Sequence, residues 1–94
     1  MAEMALEDDL IRALDHAETG DWDAAHRIVQ RHEGDPLACW IHALLHKIEP
    51  DEGNARYWYR RAAGRDYADF ADPQAELAAI RAALRRARPD RSRM

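Results

Sequence analysis

Cys39, His42, His46 and Glu49 follow one another at intervals of three, four and three residues. At about 100° per residue, a helix through them gathers all four into a sector about 80° wide. A thiol, two imidazoles and a carboxylate on one helix face are a donor set that a divalent transition metal accepts. Cys39-x2-His42-x3-His46 would form its centre and Glu49 would add an oxygen. Paired cysteines and the His-Glu-x-x-His signature are absent. The plainer reading of the same face is a polar surface whose histidines make ordinary hydrogen bonds. Metal is one expectation for this stretch, and no motif calls for any other cofactor.

A broader reading draws on the neighbouring helices. His42, His46, Glu49, Asn54, Tyr57 and Arg61 could meet as a polar cluster between the third and fourth helices, with His26 on the flank of the second. Such a cluster would fix the register of the helix pair. It would equally hold a small polar or anionic ligand, with the Arg61 guanidinium as a two-pronged donor. Tyr57, Trp58 and Tyr59 point in three directions on a helix. The pattern places Trp58 and Tyr59 inside and Tyr57 at the surface. Catalytic signals are thin. Cys39 and His42 could pair as thiolate and imidazole, but a helix interior does nothing to lower a thiol's pKa. There is no nucleophile elbow, phosphate loop or glycine-rich motif. The sequence points away from an enzyme.

The elements that would position these residues are helical throughout. Leu6, Leu10, Ala13, Leu14 and Ala17 recur at helical spacing over 4–18. Asp21 caps a helix over 22–32, with Trp22, Ala25, Ile28, Val29 and His32 inward. Asp35-Pro36 starts a third over 36–48, whose core stripe is Leu37, Ile41, Leu44 and Ile48. Asp51 caps a fourth over 52–63, with Ala55, Trp58, Tyr59 and Ala62 inward and Gly64 as terminator. Tyr67 and Phe70 plug the connection that follows. Asp72-Pro73 begins a fifth over 73–88, striped by Leu77, Ile80 and Leu84, with Arg85, Arg86 and Arg88 at the end where the helix dipole favours cations. Residues 89–94 form a polar tail. No segment alternates as a strand would.

A shift of thirty residues lays Ile11, Ala13, Leu14 and His16 on Ile41, Ala43, Leu44 and His46, and Asp21, Ala25 and Arg31 on Asp51, Ala55 and Arg61. Each unit is a helix, a tight turn with a capping Asp, and a second helix with a small residue for close approach. Repeat units over 4–32 and 36–64, followed by a capping helix, are the layout of a short helical solenoid in one domain. Gly20-Asp21-Trp22-Asp23-Ala24-Ala25 resembles the turn of tetratricopeptide repeats, whose period is about 34 residues. That resemblance implies an all-α, right-handed array of antiparallel helix pairs. Trp40-Ile41-His42-Ala43, Leu45-His46, Glu49, Asp51, Asn54-Ala55 and Tyr57-Trp58-Tyr59 resemble a family of small bacterial and fungal proteins with the pattern W-I-H-A-x-L-H-R-x-E-G-D-x-x-N-A-x-Y-W-Y. The chain departs from it at Lys47, at Pro50 and at Ala63 before Gly64. The family has no established activity, so the likeness implies a motif and no function.

Composition narrows the partners. The chain has 94 residues and a net charge of −4, which argues against nucleic acid. Residues 1–54 carry a net −9 and residues 55–94 a net +5. That asymmetry suits either two solvated faces or head-to-tail self-association. No apolar run reaches the ~18 residues of a membrane span, and the acidic N-terminus lacks the basic region of a signal peptide. A single cysteine fits a reducing, cytoplasmic setting. The bias toward Arg and Ala is that of a GC-rich bacterial gene. The first functional expectation is a non-enzymatic module that binds a protein or peptide, or its own copy, through the polar and aromatic face of helices three and four. The second is a small-ligand or metal-binding protein using the same face.

Overall fold

The computed structural model describes residues 2–87, with side chains from residue 6 onward. Five α-helices follow in order: α1 (Ala2–Glu18), α2 (Trp22–Val29), α3 (Pro36–Ile48), α4 (Glu52–Tyr59) and α5 (Pro73–Ala87). Single 3₁₀ turns lie at Gln30–His32 and Tyr67–Asp69. No strand occurs among the described residues, and none of their helices is long and apolar enough to cross a membrane. The class is all-α. Arg88 and the tail expected at 89–94 lie outside the described residues.

The helix starts follow the capping logic. Asp21, Asp35 and Asp51 each accept a hydrogen bond from a backbone N–H three residues on, at Ala24, Ala38 and Asn54. These bonds satisfy donors that the first helical turn leaves unpaired.

The turns after α1 and α3 share one backbone bond at positions thirty residues apart. The His16 carbonyl accepts the Asp21 N–H at 2.8 Å, and the His46 carbonyl accepts the Asp51 N–H at 2.6 Å. Ala25 and Ala55 are both fully buried where the paired helices approach. The second helix of each unit also stops at the same repeat position, Val29 and Tyr59. This is earlier than the expected ends at 32 and 63. Beyond Tyr59 the bonding tightens to three-residue steps, Arg61 N–H to the Trp58 carbonyl and Ala62 N–H to that of Tyr59. Ala63 and Gly64 then turn left-handed, at φ 53° and 87°.

Helix α3 lies at the centre, and all its residues from Ala38 to His46 are buried. This corrects the expectation of one apolar stripe backed by a polar surface. The sector holding Cys39, His42 and His46 is covered by neighbouring elements rather than by water. Ile48, expected in the core, is 40% exposed because it lies in the last turn, beyond that cover. Of the other stripes, Leu10, Ala13 and Leu14 of α1, Ala25, Ile28 and Val29 of α2, and Leu77, Ile80 and Leu84 of α5 are buried, while Trp22, His32, Leu37 and Trp58, also expected inward, are half-buried.

One carboxylate, Glu76 of α5, is fully buried. Its Oε1 accepts from Lys47 Nζ at 2.9 Å, and its Oε2 accepts from Trp40 Nε1 at 2.9 Å and from the Tyr59 hydroxyl at 2.5 Å. Lys47 gives its remaining donors to the carbonyls of Tyr67 and Phe70. Burial, and with it the Glu76 carboxylate, holds the Tyr59 phenol above its ordinary range, so it stays a donor. Glu76→Ala strands the buried ammonium and should lower the unfolding free energy by roughly 3–5 kcal/mol. The paired change Lys47→Met with Glu76→Leu should cost markedly less, both being read from urea denaturation.

Ion pairs also join the acidic first half of the chain to the rest. Arg81 of α5 bridges Asp15 and Glu18 of α1 at 2.8 and 2.7 Å. Asp9 accepts from His32 Nε2 at 2.8 Å, with Arg31 3.6 Å away. The His32 hydrogen bond, helped by the Arg31 charge, lowers the Asp9 pKa from its usual 3.8. A depressed carboxylate pKa gives stability that is fully present above the unfolded value and is lost as pH falls through the folded one. Asp9→Asn should therefore be less stable than the parent protein at neutral pH. The gap should close as thermal melts are taken down below pH 3.8.

Candidate metal centre

Two helices build the site. Helix α3 presents His42 and His46 one turn apart, and α2 brings His26 against them. The rings of His42 and His46 stack, with centroids 5.1 Å apart and planes 26° from parallel. His26 meets both edge-on, at 4.8 and 5.2 Å. Its Nε2 lies 3.1 Å from Nε2 of His42. One ring nitrogen from each of the three histidines falls within 4.8 Å of those of the other two.

Tryptophans wall the cluster. Trp22 stacks on His26 at 4.5 Å and is itself anchored by donating Nε1–H to the Leu45 carbonyl at 2.6 Å. Trp58 stacks on His42 at 3.9 Å, with planes 14° apart. The Trp22 bond to the Leu45 carbonyl ties the start of α2 to α3. Trp22 then holds the His26 ring from one turn away.

Burial works against positive charge on two of the imidazoles, His42 and His26. Burial, with the neighbouring His26 and His46, pushes the pKa of His42 down to about 3. Burial, followed by the His46 charge, lowers that of His26. Glu49 Oε1 lies 2.8 Å from His46 Nδ1. A carboxylate accepting this bond places a proton on Nδ1 of His46, which makes Nε2 the nitrogen through which a neutral ring would hold an ion. Between His26 and His42 a single proton occupies the 3.1 Å contact, and one of the two facing nitrogens is a bare acceptor. Nδ1 of His42 is buried with no hydrogen-bond partner among the described residues.

The geometry regroups the residues expected to act together. His26, His42 and His46 converge. Glu49 stands behind His46 as an orienting carboxylate rather than beside it in one set of four. Cys39 leaves the set: it is buried and donates its S–H to the Glu33 carbonyl at 3.2 Å. Burial raises its pKa, so the thiol is held in its unreactive form. Asn54 donates to the Asp51 carboxylate within the α4 cap, and Arg61 donates to the Tyr57 hydroxyl on the exposed side of α4. Of the six residues expected as one polar cluster, His46 pairs with Glu49, Asn54 with Asp51 and Arg61 with Tyr57, while Arg61 also lies over the Trp58 ring that stacks on His42. His16, the repeat counterpart of His46, sits 3.8 Å from Asp21 near the surface and meets no second histidine. Comparison with protein-family models, with curated proteins and with solved structures returned no match.

What the arrangement can do chemically follows from its donors. Neutral imidazoles suit zinc, copper, nickel and cobalt, whereas calcium and magnesium demand oxygen. At about 2.05 Å per metal–nitrogen bond, two tetrahedral ligands lie about 3.3 Å apart. The His26–His42 contact at 3.1 Å is close to that separation. The Glu49–His46 bond has the form of the outer carboxylate that fixes the tautomer and orientation of a ligating imidazole.

Proposed function

We propose that the protein is a small, non-enzymatic helical module that binds a divalent transition-metal ion through His26, His42 and His46, with Glu49 positioning His46. The observation that carries this reading is the convergence of three imidazoles from two helices, one of them oriented from behind by a carboxylate. The facing Nε2 atoms of His26 and His42 share a single proton, and an ion in its place would be held by both lone pairs. The reading replaces the single-helix set of Cys39, His42, His46 and Glu49 with one drawn from two helices.

Calorimetric titration of untagged full-length protein with zinc or cobalt should give one ion per chain. A hundredfold excess of free ion over the dissociation constant should add about 2.7 kcal/mol of stability, reversed by chelator. His26→Ala should lose most of the affinity while keeping its helical circular dichroism, because His26 is only half-buried. Glu49→Gln should bind roughly 10–100-fold more weakly. Absence of stoichiometric uptake would sink the reading.

One observation favours a second reading, a docking face for an acidic protein segment. Tyr57 is 43% exposed and lies under the guanidinium groups of Arg60 at 6.0 Å and Arg61 at 5.6 Å. Tyrosine and arginine are the residue types that dominate interface energies. The acidic first half of a second copy has matching charge. Light scattering at low salt should then detect an assembly that added salt, or Arg60→Glu with Arg61→Glu, dissolves. A monomer under all conditions excludes self-docking.

A further inference from the structure

The three imidazoles have no fourth protein donor. Among the described residues no other histidine, cysteine or carboxylate joins His26, His42 and His46 in their group. The nearby candidates are engaged elsewhere. Glu49 is bonded to Nδ1 of His46, the nitrogen turned away from an Nε2-bound ion. The Asp51 carboxylate accepts from both the backbone N–H and the side-chain amide of Asn54. Cys39 donates to the Glu33 carbonyl. Structural metal sites are closed by four protein ligands, whereas three leave a position for an exchangeable group.

His42 and His46 are 3% and 7% exposed. Beyond them, toward α2, His26 and Trp22 are both half-buried, so water reaches the group past these two rings. Resting on the metal-binding reading above, we infer that the ion held by His26, His42 and His46 keeps one exchangeable coordination position on the α2 side, and that this position takes a monodentate anionic donor in place of water. Three neutral imidazoles leave the charge of a divalent ion uncompensated in a partly desolvated site. Displacement of neutral water by an anion is therefore favoured there over the same exchange in bulk water. The donor can be a carboxylate or thiolate, free or carried on a side chain, and the shared requirement is a single negative atom that reaches the ion past the half-buried His26 ring.

Cobalt is the probe for the test, because its visible absorption reports its coordination shell. Full-length protein loaded with one cobalt ion is titrated with azide. The expected result is a saturable change in the visible bands, with one azide bound per cobalt, retained in Glu49→Gln. Cobalt taken up at one per chain with a spectrum that azide leaves unchanged would overturn the open position and leave metal binding standing. A response seen only in Glu49→Gln would overturn it too, by making Glu49 the fourth ligand. No cobalt uptake would overturn both readings together.

Discussion

The arrangement of the whole chain depends on the buried pair of Glu76 and Lys47. A carboxylate in a core this small is tolerable only if its lone pairs are matched, and Glu76 collects Lys47, Trp40 and Tyr59 around it. Lys47 is satisfied in the same way by Glu76 and by two carbonyls of the connection before α5. These bonds tie α3, α4, that connection and α5 to one point. They also set the rotation of α3 about its axis. With Trp40 and Lys47 turned toward α5, the sector carrying His42 and His46, about 130° further round the helix, faces α2 and α4. The ion network therefore positions the imidazoles without touching them.

The histidine cluster and the ion network are buried polar groups with different degrees of satisfaction. Around Glu76, donors and acceptors are matched. Around His42, one ring nitrogen has no partner and the pKa is driven far down, so the imidazole stays neutral at a cost in desolvation. Groups of the first kind specify a fold. Groups of the second kind lower stability, and that imbalance is what distinguishes the cluster from ordinary core polarity.

The repeat explains why only one of its two copies carries the cluster. The first copy has the same frame of Ile11, Ala13, Leu14 and His16, and the same capped turn. On its leading helix, α1, His16 lies near the surface beside Asp21. The equivalent helix in the second copy, α3, lies between α2 and α4. A polar residue that is harmless on α1 is enclosed when it sits on α3. His26, from the second helix of the first copy, completes the group across the boundary between copies.

The helices, their capping aspartates, the period of thirty and most apolar stripes were legible in the sequence, because each depends on interactions within four residues or on a repeating pattern. The concentration of chemistry in the stretch from Cys39 to Arg61 was legible for the same reason. Which residues meet was not. His26 lies on a different helix from His42, and spacing along one helix cannot pair them; only the docking of α2 on α3 does. Cys39 shares a sector with His42 in projection, but it sits one turn nearer the start of α3, where the Glu33 carbonyl is within reach. Lys47 and Glu76 carried no signal at all, since a lone lysine and a glutamate in the first turn of a helix read as surface residues. Local propensity and periodicity determined the elements. The tertiary structure decided the burial of α3, and with it which polar groups lost water and had to find one another.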